Sequence, residues 1–409
     1  MFLNYYTILV SLSLLTNFTC YFIVQRRPDL LTLISFFSIT GTIPLLSESF
    51  KFVDGYNLNN GYHTYTYSTF ILLSFSLAFF SFINFKKRFI FLKFDTTFIT
   101  LVLLFWFGLL FYIIFKVGFP QIIFSHKSFI TQKVGIPFEV FVWLTPFLAT
   151  IHYSNFKNLS LIFIIILILL VLGDRTAPAL IVTGILFIHL LRLPKVSLLT
   201  SKKFRFIFIL ITLSVMCASV SKALYSDFRS GGLQSLDKGY KRRELHSYFS
   251  NIELFNTPFI LNKIITSNFE IDGYTILSSP LSLSPIPRSL FGDSSSDFGK
   301  KMQISIFSDL KFGVGHSFFG EFYATFGFLG IYFGLAIFLI LSFLLNFMIF
   351  NLKSSYLTLL LMIFGCLFSY YIYRNTLSTM FGFYRFIFYP TISLYLISKL
   401  INQVLYKKY

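Results

Sequence analysis

From Thr97 to Phe115 the chain reads TFITLVLLFWFGLLFYIIF, nineteen residues without a charge. Runs of similar length and character recur along most of the 409 residues. About 20 apolar residues are what an α-helix needs to cross the hydrocarbon core of a bilayer. Inside lipid every backbone polar group must be bonded within the protein, so only helices and closed barrels span. Barrel strands alternate apolar and polar residues with period two, and these runs do not alternate. The sequence therefore predicts an all-α, polytopic integral membrane protein. Its charged fraction of 12% is about half the roughly 25% typical of a water-soluble domain.

Eleven spans are expected, near 3–24, 30–46, 67–84, 97–115, 137–153, 159–172, 177–193, 204–221, 324–350, 355–373 and 380–401. The span at 137–153 is the least regular, because Glu139 and Pro146 interrupt it. The first apolar segment has no basic start and no small-residue cleavage site, and it reads as a retained span. Loops after odd-numbered spans, with the C-terminus, carry 16 Lys and Arg, and the short loops on the other side carry 6. Basic loops stay cytoplasmic, which places the N-terminus outside and the C-terminus inside. The net charge of +18 does not indicate a nucleic-acid partner, since the basic residues sit in short clusters between apolar runs. Cys20, Cys217 and Cys366 all fall within apolar runs. They read as packing residues, with neither a metal cage nor a disulfide framework.

Three regions follow: residues 1–221 with spans one to eight, 222–323 as a large external loop, and 324–409 with spans nine to eleven. A connection of that length is usually functional or separately folded. It carries 11 Lys and Arg. Its stretch SYFSNIELFNTPFILNKIITS is amphipathic enough for an interfacial helix. The following LSSPLSLSPIPRSLFGDSSSDFGK is too rich in Pro and Ser for a regular one.

The informative charges are arginines expected at membrane level on the outer side. Arg175 lies in the tight turn GDRTAP, Arg374 ends span ten, Arg385 falls inside span eleven, Arg288 lies in SPIPRSLFG, and Arg242 and Arg243 lie in GYKRRELHS. A charge at a helix centre costs roughly 2.5–3.5 kcal/mol on the insertion scale. Several together call for an anion, and guanidinium forks suit phosphate oxygens. Structural explanations stand beside this one: a pair between Arg175 and Asp174, snorkelling of Arg374 to the headgroups, and a solvated face for Arg242 and Arg243. Ahead of span nine the chain reads GHSFFGEFYATFGFLG. His316 and Glu321 there fit either a cap and a helix-start charge or a base at the water boundary. Gly327 and Gly330 permit close helix packing.

At GDRT (173–176), PIPRSLFG (285–292) and GHSFFGEFYATFGFLG (315–330) the chain resembles the O-antigen polymerase (Wzy-type) family of oligosaccharide repeat-unit polymerases. The overall layout of about eleven spans with one large outer loop before the last few is similar to that family too. The resemblance implies glycosyl transfer from one undecaprenyl-pyrophosphate-linked glycan to another at the outer face of the inner membrane, without cofactor or metal, with inversion. The physical reading of the arginines fits that chemistry and gives pyrophosphate to Arg175, Arg288 and Arg385, then Arg374, Arg242 and Arg243. Glu321 is the first candidate base, His316 the second, and Tyr323 a sugar-stacking residue. It leaves room for a chain-length regulator as a further partner. An O-antigen ligase shares the spans, loop and arginines, and His316 resembles the ligase histidine. A lipid-linked oligosaccharide flippase is the third alternative, although such carriers tend to have short loops and two similar halves.

Overall fold

The computed structural model describes residues 5–24, 29–46, 64–82, 92–125, 127–156, 159–174, 176–191, 257–285, 298–306, 318–371 and 375–406. Among these residues every regular element is a helix. Four are long and apolar enough to cross a membrane. They are α4 (Thr96–Val117), α7 (Ile136–Phe156), α13 (Phe318–Asn351) and α15 (Leu377–Tyr406). Shorter apolar helices are α1 (Tyr5–Phe18, continued by a π-helical turn to Val24), α2 (Leu30–Leu46), α3 (Thr64–Ser81), α8 (Leu159–Val171), α9 (Thr176–Leu191) and α14 (Ser355–Tyr371). Two short helices, α5 (Phe119–Phe124) and α6 (Lys127–Val134), lie between α4 and α7. The expected external segment contributes α10 (Thr257–Thr266), the single turn α11 (Tyr274–Leu277) and α12 (Phe298–Ile306). The expected span at 204–221 lies outside the described residues.

Backbone proximity divides the chain into two compact units that interleave in sequence. The first comprises Met1–Lys87, Leu193–Phe347 and Leu367–Phe381, and the second Arg88–Arg192, Met348–Cys366 and Gly382–Tyr409.

In the first unit α1, α2 and α3 pack together, and α10 packs on α2 and α3. Asp29 starts α2 as a reciprocal cap: its Oδ1 accepts from Thr32 N (3.0 Å) and Thr32 Oγ1 (3.1 Å), while Thr32 Oγ1 accepts from Asp29 N (3.1 Å). Asn346 of α13 completes it, accepting from Leu30 N at 3.1 Å and donating to Asp29 Oδ2 at 3.3 Å. Asp29 and Asn346 are each 1% exposed, so these bonds supply what water would otherwise give the charge. Of the stretch expected as an interfacial helix, 257–266 forms α10 and the part before it lies outside the described residues; the apolar Ile260 and Ile264 bury against Phe298, Met302 and Ala324. That face packs on protein.

In the second unit α7 is the central helix: Phe138, Phe141, Val142, Leu144, Phe147, Leu148 and Ile151 are all fully buried. Pro146 interrupts its backbone ladder. Hydroxyls on either side contribute local bonds, Thr145 Oγ1 to Phe141 O and Thr150 Oγ1 to Pro146 O, both 2.6 Å. Trp106 of α4 donates to Thr145 Oγ1 at 2.7 Å, which ties α4 to α7 at the same level. An aromatic cluster joins four helices: Tyr356 stacks on Tyr395 at 4.3 Å, and Phe98 and Phe147 meet them edge-on. Tyr356 Oη and Thr391 Oγ1 lie 3.2 Å apart, so the polar tip of Tyr356 is bonded. Cys20 of the first unit and Cys366 of the second are free and buried, while Cys217 lies outside the described residues.

Candidate functional site

The stretch ahead of span nine does not begin a straight helix. Gly327 has φ 61° and ψ −147°, a conformation that costs a side-chain-bearing residue dearly. Along a straight helix Phe318 and Phe338 would stand about 30 Å apart, yet their ring centroids are 6.2 Å apart. Phe322 lies 6.0 Å from Phe333 in the same way. The chain therefore reverses at Gly327, and the arm 318–326 lies back along the first half of 328–351. Gly330 and Gly334 make room for it. A Cβ on Gly330 would fall 2.0 Å from the Phe322 carbonyl oxygen, and one on Gly334 would fall 2.8 Å from the Phe322 ring. The expectation of close packing at Gly330 holds, with the partner being the chain's own preceding turns. Only 328–351, about 36 Å of helix at 1.5 Å per residue, remains to span.

This reversal decides where Glu321 sits. Its residue exposure is 0%, and its Oε2 accepts from Leu377 N at 3.3 Å, in the first turn of α15. The unbonded N–H groups of a helix start form a favourable place for a carboxylate. Thr376 caps the same turn, accepting from Thr379 N at 3.2 Å. Glu321 is thus built into the junction of α13 and α15 within the first unit. Tyr323, two residues on, is half-buried and packs against the α10–α12 core. Ile271 N donates to Ala324 O at 2.9 Å, so the described external segment is bonded directly to the reversed arm.

Arg385 belongs to the second unit, inside α15. It is half-buried, and its guanidinium lies 4.6 Å from the Phe386 ring centroid. Among the described residues its buried Nε has no hydrogen-bond partner, and no carboxylate lies within ion-pair distance of it. Two residues earlier Phe383 stacks on Trp143 of α7, centroids 4.1 Å apart and planes 19° apart. Trp143 Nε1 donates to Glu139 Oε2 at 3.0 Å, one turn toward the start of α7. Glu139 is half-buried. The sequence presents it only as an interruption of an apolar run, although its i,i+4 spacing to a tryptophan was legible.

At the end of this unit where α7 and α9 begin, Lys127 pairs with Asp174. Asp174 is 1% exposed and also accepts from Ala177 N at 2.8 Å, starting α9. One carboxylate thus holds the turn before α9 and the start of α6. A shallow, largely open depression is lined by Lys127, Ser128, Thr131 and Gln132. Sequence reasoning counted Lys127 for topology alone, since nothing local connects it to an acid 47 residues away.

Of the expected site residues, Glu321 and Tyr323 lie in the first unit and Arg385 in the second. Arg175, Arg288, Arg374, Arg242, Arg243 and His316 lie outside the described residues. Compared with models of protein families, with curated proteins and with solved structures, the chain matches none.

Proposed function

We propose that this protein is an integral-membrane glycosyltransferase of the O-antigen polymerase kind, extending surface polysaccharide from undecaprenyl-pyrophosphate-linked repeat units at the outer face of the cell inner membrane. Arg385 carries the proposal. A guanidinium within an apolar helix, with a buried Nε that has no hydrogen-bond partner among the described residues, is held at a cost that an anionic ligand repays. Diphosphate oxygens match its planar donors.

In this reaction an acceptor sugar hydroxyl attacks the donor's anomeric carbon and undecaprenyl pyrophosphate leaves. Negative charge grows on the leaving oxygens, and prearranged cations in a site shielded from water stabilise it. Arg385 fills that role, with Arg175, Arg288, Arg374, Arg242 and Arg243 as the further arginines of the reading. Its burial and its bond to Leu377 N favour Glu321 as the residue that holds the start of α15 in place. Tyr323 offers an aromatic face to a sugar beside the external core.

The test is the glycan ladder of a deletion strain. Loss of the protein leaves surface glycan capped with a single repeat unit, and the wild-type gene restores the ladder. Arg385→Ala reaches the membrane but restores no ladder, and Arg385→Lys restores part of it, since an ammonium lacks the bidentate fork. A normal ladder in the deletion strain overturns the proposal. Long glycan stranded on the lipid carrier would indicate a ligase, and repeat units trapped on the inner leaflet a flippase.

A further inference from the structure

We infer that Glu139 is the proton acceptor for the attacking sugar hydroxyl, an inference that rests on the glycosyl-transfer reading above. Three features of the second unit lead to it.

First, Glu139 has the access and the spare acceptor capacity. It is half-buried. Trp143 occupies Oε2, and a carboxylate has two oxygens with about four acceptor positions. Trp143 is itself 2% exposed, so a buried indole anchors one oxygen of a carboxylate that is only half-buried.

Second, the carboxylate and the guanidinium are in register. Trp143 meets Phe383, and four residues on, Phe147 meets Tyr356, which stacks on Tyr395. The contacts keep the same order on both helices, four residues on along α7 and twelve along α15 by way of Tyr356, so α7 and α15 run in the same direction. Glu139 precedes the stacked level by four residues, about 6 Å, and Arg385 follows it by two, about 3 Å. Their backbone positions are therefore offset by about 9 Å along the helix axes. Inverting glycosyl transfer needs the base and the group serving the leaving oxygen on opposite sides of the anomeric carbon.

Third, the other candidate carboxylate belongs to the first unit, whereas Glu139 and Arg385 both belong to the second. Glu321 is fully buried and bonded to the start of α15.

The step balances without a co-reactant. The acceptor oxygen bonds to the anomeric carbon as its proton passes to Glu139. The bond from that carbon to the pyrophosphate oxygen breaks, and the electron pair leaves on the pyrophosphate beside Arg385. Glu139 then returns the proton to water.

Glu139→Gln separates this role from a structural one, because the amide oxygen still accepts the Trp143 N–H but cannot take a proton. Full-length protein in nanodiscs is supplied with undecaprenyl-pyrophosphate-linked repeat units, and kcat and KM for chain extension are measured. Removing a general base costs about 10²–10⁴-fold. The expected result is a kcat loss in that range with KM little changed, and partial activity in Glu139→Asp, which keeps a withdrawn carboxylate. Extension by Glu139→Gln within about threefold of wild type, far inside the range for a lost base, overturns the inference and leaves the polymerase reading standing. Equal losses in the Gln and Asp variants also overturn it, since they indicate packing rather than proton transfer. A wild-type protein that extends nothing overturns both.

Discussion

Replacing Gly330 by alanine probes the reversal in α13 directly. The new Cβ would lie 2.0 Å from the Phe322 carbonyl oxygen. Real contacts of this kind are essentially never under 3.0 Å, so the arm 318–326 must retreat by about 1 Å or more. The obstacle is backbone, which cannot swing aside as a side-chain tip does. Retreat stretches the Glu321 bond to Leu377 N, already 3.3 Å, and the 2.9 Å bond from Ile271 N to Ala324 O. Overpacking costs about 1–3 kcal/mol, losing a hydrogen bond to a charged group about 1.5–3, and alanine returns about 1 through helix propensity. The net is about 3 kcal/mol of destabilisation. Gly108 of α4 is the control, because a Cβ there meets nothing within 4 Å. Gly108→Ala should be neutral or stabilising by up to about 1 kcal/mol. Thermal unfolding of the two variants and the wild type in one detergent is the assay. If Gly330→Ala unfolds at the same temperature as Gly108→Ala, the arm does not lie where the structure puts it.

Other perturbations address separate parts of the fold. Lys127→Met leaves the buried Asp174 carboxylate without its ion-pair partner; because Lys127 is 32% exposed, water recovers part of the loss, and about 1–3 kcal/mol is expected. The double variant Lys127→Met with Asp174→Asn should be less destabilised than the sum of the singles in denaturation measurements, and simple additivity would contradict the pair. Asp29→Ala removes the cap of α2 and the acceptor for Asn346, a loss of about 2–4 kcal/mol, visible as a lower unfolding temperature. Glu321→Ala should be less stable than wild type by about 1.5–3 kcal/mol through loss of the bond to Leu377 N, while Glu321→Gln, which keeps an acceptor oxygen, should lose less.

The residues explain which features the sequence discloses. The spans that became α4, α7, α13 and α15 were legible because lipid imposes length and apolarity regardless of neighbours. The reversal at Gly327 was not. Both arms of FGEFYATFGFLGIYFG are equally apolar and equally helical, and the choice at one glycine is made by contacts with Phe322 from residues 8 and 12 places on. Gly327 and Gly330 did announce close approach, but their spacing cannot say to what; Gly330 makes the approach, while Gly327 makes the turn. Glu321 illustrates the same limit: its polarity was visible, whereas its bond to a backbone N–H 56 residues away was not. Glu139 was seen as a defect in a hydrophobic run, because hydropathy weighs a carboxylate and ignores the indole one turn below it.

The buried character of α7 bears on how the chain enters the bilayer. In its apolar window 72% of residues are buried inside the protein, against 28% for α4, and α7 is also the less apolar of the two. Lipid alone would retain it weakly. It packs on α4, synthesised before it, and on α9, synthesised after it. During translation α7 therefore leaves the insertion channel with half of its lodging still unwritten, and α4 serves as its chaperone until α9 arrives.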